Sequence, residues 1–266
     1  MFLFRKKKTE EEPLTETLRY EVGNVQGVGT RKGQEDSFTA VNALNEKSYN
    51  KSGLMFAVCD GMGGMKSGKL ASESAIKCLR KAFSDMDMEG DIPSQMRDSI
   101  FSASSEVEKL LNGEGGSTVV MGIVFREKLY FACVGDSFLY LFRNGSLYRL
   151  NTEHNICHEK YLMSLRNGET DVKSGREAPD TASLTAFIGM PGLPLADCSV
   201  RPLKLKKDDM IIACSDGIGG VLEEGEILEA LNEPTVQKKC TRLEDFIMEH
   251  ANPNQDNYTA LILKCL

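Results

Sequence analysis

Five aspartates in this sequence stand at the ends of short apolar stretches, where their carboxylates could act together on a cation. Leu54–Cys59 runs into Asp60-Gly61, Leu129–Val134 into Gly135-Asp136, and Met210–Ser215 into Asp216-Gly217. Asp36 and Asp256 do the reverse and open the stretches that begin at Ser37 and Asn257. Carboxylates gathered in one place repel each other unless positive charge sits among them. Short aspartate side chains on stiff strand ends are hard oxygen ligands, and an all-oxygen set selects Mg²⁺ or Mn²⁺ over zinc. A glycine after an aspartate frees the backbone to turn its own carbonyl inward, so Gly61 is a candidate ligand as well. One Asp-Gly pair alone reads as a turn. Five aspartates with matched strand polarity do not reduce to that reading.

The elements around them must bring the carboxylates together. The apolar runs have strand length and are rich in Val, Ile, Phe and Tyr. If Ser37–Leu44 pairs antiparallel with Leu54–Cys59 across the polar loop Asn45–Gly53, Asp36 and Asp60 meet at one end. If Met210–Cys214 lies antiparallel to Tyr258–Leu263, Asp216 and Asp256 meet likewise. A meander (Ser117–Phe125, Leu129–Val134, Phe138–Phe142, the Asn144-Gly145 turn, Leu147–Leu150) sets Asp136 beside Gly115-Gly116-Ser117-Thr118. All five would then share one rim of a sheet. Arg31 precedes Asp36 by five residues. A guanidinium beside an acidic metal cluster suits a tetrahedral oxyanion such as phosphate, which it grips through two parallel hydrogen bonds.

Helical periodicity covers Lys66–Phe83, Pro93–Leu111, Gly225–Leu231 and Val236–Glu249, and Cys198–Leu205 reads as a further strand. Residues 1–17 read as a charged, solvated tail and 18–266 as one domain, with a polar flap at 155–182 that includes a short helix near Glu159–Leu165. The 266 residues are 41% hydrophobic and 27% charged, an ordinary balance for a chain with a substantial core. A net charge of -7 argues against a nucleic-acid partner and against a nuclease, which would need a basic stripe for phosphate backbone. No apolar run approaches a membrane span, and Met1–Lys8 is too short for an export signal. The eight cysteines form no CxxC pair, and Cys59, Cys133 and Cys214 sit in apolar runs as reduced core residues do, pointing to a cytoplasmic location.

Two other motifs compete for attention. Gly63–Lys69 has the GxxxxGK spacing of a phosphate-binding loop, but Leu70 replaces the hydroxyl that would hold Mg²⁺ there. His154, Cys157 and His158 have ligand chemistry but no evident fourth partner for zinc, and His250 reads as a helix-terminus cation.

Taken in order, the motifs resemble the metal-dependent protein phosphatases, the type 2C-like serine/threonine phosphatases, in their bacterial form. The resemblance rests on Arg31-x-x-Gln34-Glu35-Asp36, Val58-Cys59-Asp60-Gly61-Met62-Gly63-Gly64, Gly68-x-x-Ala71-Ser72 and Gly116-Ser117-Thr118. It continues through Val134-Gly135-Asp136-Ser137, Thr152-Glu153-His154, Leu184-Thr185 to Gly189, Ser215-Asp216-Gly217 and Gln255-Asp256-Asn257-Tyr258-Thr259-Ala260. It implies an α+β fold, a four-layer α/β/β/α sandwich of two packed, mainly antiparallel sheets flanked by helix pairs. It also implies two Mn²⁺ or Mg²⁺ ions, with a third in many members. Asp60 would bridge the pair, Gly61 would offer its carbonyl, and Asp216 and Asp256 would bind the other ion. Asp36 would hold water, with Glu35 sharing that work, Asp136 would support the third ion, and Arg31 would bind phosphate. The implied reaction is hydrolysis of phosphoserine and phosphothreonine on proteins by water activated between two ions, opposing a serine/threonine kinase. Many eukaryotic members carry a histidine, a proposed general acid, where this chain has Met62. A non-catalytic relative acting as a binding module would have lost core ligands, and none is missing here.

Overall fold

The protein is described here by a computed structural model covering residues 18–168 and 183–266. The tail expected at 1–17 and the part of the flap at 169–182 lie outside the described residues.

Strands whose two faces are both apolar need cover on both sides, and that requirement builds the fold. In β3 (Leu54–Cys59) every residue is buried. Met55, Ala57 and Cys59 face one helical layer, while Leu54, Phe56 and Val58 face a second sheet. β12 (Met210–Cys214) and β13 (Tyr258–Cys265) divide the same way. Ile211, Ala213, Leu261 and Leu263 meet the sheet of β3, and Met210, Ile212, Ala260 and Ile262 meet the other helices. Alternation with period two thus splits each apolar run between an inner core and an outer one.

One sheet runs β1 (Tyr20–Gly27), β13, β12, β8 (Phe138–Arg143), β9 (Ser146–Arg149). The other runs β10 (Asp197–Cys198), β7 (Lys128–Val134), β6 (Val119–Phe125), β3, β2 (Ser37–Val41), with β11 (Leu203–Lys204) also on β7. The pairings are antiparallel. Helices α2 (Met65–Asp85) and α3 (Ile92–Leu111) cover the second sheet through Leu79, Phe83, Met96 and Ile100. After α4 (Ile156–Arg166) and the one-turn α5 (Asp216–Gly219), helices α6 (Glu224–Ala230) and α7 (Val236–His250) cover the first through Ile227, Leu243 and Phe246. The α/β/β/α sandwich expected from the sequence is present.

Four local expectations need correction. The polar loop expected at Asn45–Gly53 contains helix α1 (Glu46–Ser52), whose N-cap Asn45 accepts a hydrogen bond from Ser48 N at 3.1 Å. Only Tyr49 of its seven residues is buried, so no apolar period announces it. The strand expected at Ser37–Leu44 stops at Val41, because Asn42 turns to φ 64 and Leu44 projects into solvent. The strand expected at Cys198–Leu205 is two short pieces, β10 and β11, with Pro202 between them unable to donate to a ladder. Finally, the meander does not stay in one sheet. β7 and β8 belong to different sheets, joined through Gly135 (φ 100), Asp136 and Ser137. The rim that carries the aspartates is therefore the shared end of both sheets.

Candidate metal centre

Each candidate aspartate is set by a strand end. Asp36 and Asp60 flank the β2–β3 register at Ser37↔Cys59. Asp216 and Asp256 flank β12 and β13, where Cys214 pairs with Ala260 and Ser215 N donates to Thr259 O at 3.0 Å. Asp136 lies on the crossing between the sheets. The two-residue strand β4 (Gly61–Met62) pairs with β5 (Gly116–Ser117), holding Gly61 at the rim. Both strands were too short to be expected from periodicity.

A cavity of about 500 Å³ opens on this rim, and Arg31, Glu35, Asp60, Gly61, Asp136, Asp216 and Asp256 line it. Asp36 is not in its wall. It lies behind Asp60, only 4% exposed, with Oδ2 accepting from Ser215 Oγ at 2.9 Å and Thr259 Oγ1 at 2.7 Å. The structure thus brings six of the seven candidate residues to one cavity and seats the seventh beneath it.

The electrostatics are those of carboxylates crowded without enough cations. Burial pushes the Asp36 carboxyl up to about 6; the hydroxyls of Thr259 and Ser215 oppose this and the Asp216 charge adds to it. Burial, then the charges of Asp36 and Asp216, hold Asp60 well above the usual carboxylate range. Asp136 is pushed up to about 7, chiefly by burial and next by Asp216. Asp216 is raised too, again mostly by burial. Among the described residues Arg31 is the cation in the cavity wall, and its Nη2 donates to Asp256 Oδ2 at 2.6 Å. One guanidinium cannot balance this set.

The donor set fits a hard divalent ion. Asp36 Oδ1 and Asp216 Oδ1 are buried and have no hydrogen-bond partner, a costly condition for a carboxylate oxygen unless a proton or an ion meets it. Among the described residues, no three His, Cys, Asp or Glu side chains already form a ready-made metal cage. An open trough of this kind suits Mg²⁺ or Mn²⁺, which keep part of their water shell, better than a closed zinc cage.

Several residues that position the set carried no chemistry of their own in the sequence. Asp60 N donates to Thr118 Oγ1 at 3.1 Å, while Asp60 O accepts from Thr118 N at 2.8 Å and Ser117 Oγ at 2.9 Å. Thr118 Oγ1 and Ser137 Oγ are 2.7 Å apart, tying the Asp60 end to the Asp136 crossing. Asn257 accepts from Glu35 N at 2.7 Å and donates to Val28 O and Gly33 O, which pins the loop carrying Arg31. For Ser137 and Asn257 the signal was adjacency to Asp136 and Asp256, whereas Ser117 and Thr118 have no aspartate near them in the sequence and reach Asp60 only through the fold.

Close approach explains two glycines. A Cβ on Gly61 would lie 2.1 Å from Gly68 O, and one on Gly68 would lie 1.9 Å from Glu35 Oε2. His154, considered above for zinc, instead accepts from Gly135 N through Nδ1 at 3.1 Å, and burial lowers its pKa. Lys69 of the GxxxxGK stretch lies within α2, 3.8 Å from Glu73.

Comparison with known proteins agrees with this arrangement. Residues 20–160 match the family described as Protein phosphatase 2C. The chain is 31% identical over 219 residues to the serine/threonine phosphatase stp of Listeria monocytogenes, covering 78% of this chain and 82% of that one. It is 27% identical to the serine/threonine protein phosphatase PstP of Mycobacterium tuberculosis, over 84% of this chain and 42% of the longer relative. The solved S. agalactiae serine/threonine phosphatase superposes with a TM-score of 0.80 at 22% identity, over 92% of this chain and 99% of that one. The PstP catalytic domain, solved with two manganese ions, gives 0.71 at 24% identity, over 94% and 99%. With the site's layout and a relative of this identity in agreement, the chain belongs to the protein phosphatase 2C family.

Proposed function

We propose that this serine/threonine phosphatase hydrolyses phosphoserine and phosphothreonine on proteins by a two-ion mechanism and opposes a serine/threonine kinase. The observation that carries the mechanism is the rim itself, where Asp60, Asp216 and Asp256 from both sheets share one cavity wall with Arg31. Asp60, the Gly61 carbonyl, Asp216 and Asp256 would hold two Mn²⁺ or Mg²⁺ ions, and Asp136 would support a third. Bound there, divalent ions supply positive charge for phosphoryl oxygens and acidify water for in-line attack on phosphorus.

The chain's own residues do the rest. Arg31 binds and orients the phosphoryl group through its guanidinium. Asp36, seated beneath the cavity, would hold water through Oδ1, its unpaired oxygen, while Ser215 and Thr259 hold its other oxygen still. Met62 stands in the cavity wall and has no proton to give, so the leaving alkoxide must take its proton from elsewhere. Eight free cysteines, five of them buried, support placing the protein in a reducing cytoplasm.

The test is hydrolysis of a phosphothreonine peptide with Mn²⁺, with EDTA, and by Asp60→Asn. Turnover is expected only for the wild type with metal. Activity that survives EDTA or the substitution would sink the mechanism, and a wild type inactive with every divalent ion would favour a binding role.

A further inference from the structure

Helix α2 begins at the mouth of the cavity, where its N-cap Gly64 lines the wall. In a chain of net charge -7, this helix carries five cations, Lys66, Lys69, Lys77, Arg80 and Lys81, against two acids, Glu73 and Asp85. All five cations are exposed. At about 100° per residue they fall within roughly one third of the circumference, opposite the face that buries Ala71, Ala75 and Leu79. Lys69 is 3.8 Å from Glu73, and among the described residues the other four make no ion pair. Glu106 of α3 is close enough for its charge to act on Cys78, as do Lys77 and Lys81, but it is bonded to Lys109 at 3.1 Å.

The helix gains little from this pattern beyond Glu73, which lies on the same face four residues from both Lys69 and Lys77. Lys66 and Lys69 sit near its N-terminus, the positive end of the dipole, with no acid in the first turn and no side-chain cap. Lys77 lies three and four residues from Arg80 and Lys81, a spacing at which like charges destabilise a helix. Local rules broken together on one exposed face, running out of a catalytic cavity, mark a surface kept for something outside the fold.

Resting on the phosphatase reading above, we propose that the outer face of α2 binds an acidic stretch of the phosphoprotein substrate and thereby selects it. Lys66 to Lys81 spans about 22 Å along the axis, which an extended peptide covers in about seven residues. The acidic stretch therefore lies within about ten residues of the phosphorylated one. Attraction of this kind acts on encounter and affinity, so it lowers KM and is screened by salt.

The experiment compares three phosphothreonine peptides and p-nitrophenyl phosphate, all with Mn²⁺. Two peptides carry five aspartates beginning four residues before or after the phosphothreonine, and the third carries serines in both places. One acidic peptide is expected to show kcat/KM at least about fivefold above the serine peptide at low salt, through KM. That preference should fade at about 1 M salt, where the Debye length is about 3 Å. The triple variant Lys77→Gln, Arg80→Gln, Lys81→Gln should lose the preference while turning over p-nitrophenyl phosphate as the wild type does. If that variant does not fold, Lys77→Gln and Lys81→Gln singly should each reduce the preference. Equal rates on all three peptides, or a preference that the substitutions leave intact, would overturn the proposal. A wild type inactive on p-nitrophenyl phosphate would overturn the phosphatase reading instead.

Discussion

Asp36, Asp60, Asp136 and Asp216 all have carboxyls raised chiefly by burial and next by a neighbouring aspartate's charge, which for Asp216 is that of Asp256, and this has a measurable cost in the metal-free protein. Between about pH 4 and 6 the folded state keeps a proton on Asp36 that the unfolded chain has released. Stability of the metal-free protein therefore falls as pH rises through that window, and Asp136 extends it to about 7. A carboxyl that titrates one pH unit higher in the folded state than in the unfolded chain costs about 1.4 kcal/mol once it is ionised in both. Thermal melts in EDTA should show Tm dropping from pH 5 to pH 7.5. A flat or rising curve would mean that the carboxyls are not raised. Asp60→Asn should raise the metal-free Tm at pH 7.5 by several degrees, on the scale of about 2–4 °C per kcal/mol for a chain of this size. The same variant should lose at least about 100-fold in Mn²⁺-dependent turnover. If the variant melts lower than wild type in EDTA, Asp60 is not held there against its own charge.

At the scale of elements, the packing of β4 against the first turns of α2 depends on Gly61 and Gly68. Gly68→Ala places a methyl where Glu35 Oε2 now lies, although alanine favours the helix by up to about 1 kcal/mol. Mn²⁺ binding followed by calorimetry should weaken by roughly tenfold, with Tm moved by only a few degrees. Unchanged affinity would show that Glu35 relaxes without touching the site. On the far side of the molecule, the buried Lys239 donates through Nζ to Leu231 O and Glu233 O, closing the C-terminus of α6. Lys239→Met should cost about 1–3 kcal/mol by denaturant unfolding and leave kcat at 25 °C unaltered.

Which elements could be read from the sequence follows from how each one buries itself. β3, β12 and β13 are apolar on both faces and end on an aspartate or begin after one, so both they and the rim were legible. Helix α1 buries only Tyr49, so its pattern is that of a loop. β4 and β5 are two residues each, and what makes them strands is the distant pairing of Gly61 with Ser117 and Met62 with Gly116, which no local pattern encodes. The crossing at Gly135–Ser137 was hidden for the opposite reason. Consecutive hairpin-like strands predict one continuous sheet, and only tertiary pairing assigns β8 to β12 instead of β7.

Over the whole molecule, the inner core of Leu54, Phe56, Val58, Ile211, Ala213, Leu261 and Leu263 holds the sheets together, while the rim pushes their ends apart. An ion that binds only the folded state adds stability by mass action. Mn²⁺ at about 100 times its dissociation constant should contribute about 2.7 kcal/mol per site, readable as a rise in Tm that EDTA reverses. A Tm indifferent to Mn²⁺ at pH 7.5 would argue that the rim binds no ion in the folded state. Among the described residues no helix is long and apolar enough to cross a membrane.

The place of β13 between β1 and β12 bears on how the protein is made. A ribosome that has released the chain only as far as Asn254 has exposed β1 with no neighbour, and Asp36, Asp60, Asp136 and Asp216 without Asp256. Vectorial synthesis therefore yields most of the carboxylates early and the closed sheet late. Closure of this sheet waits for one strand to insert between two that have already emerged.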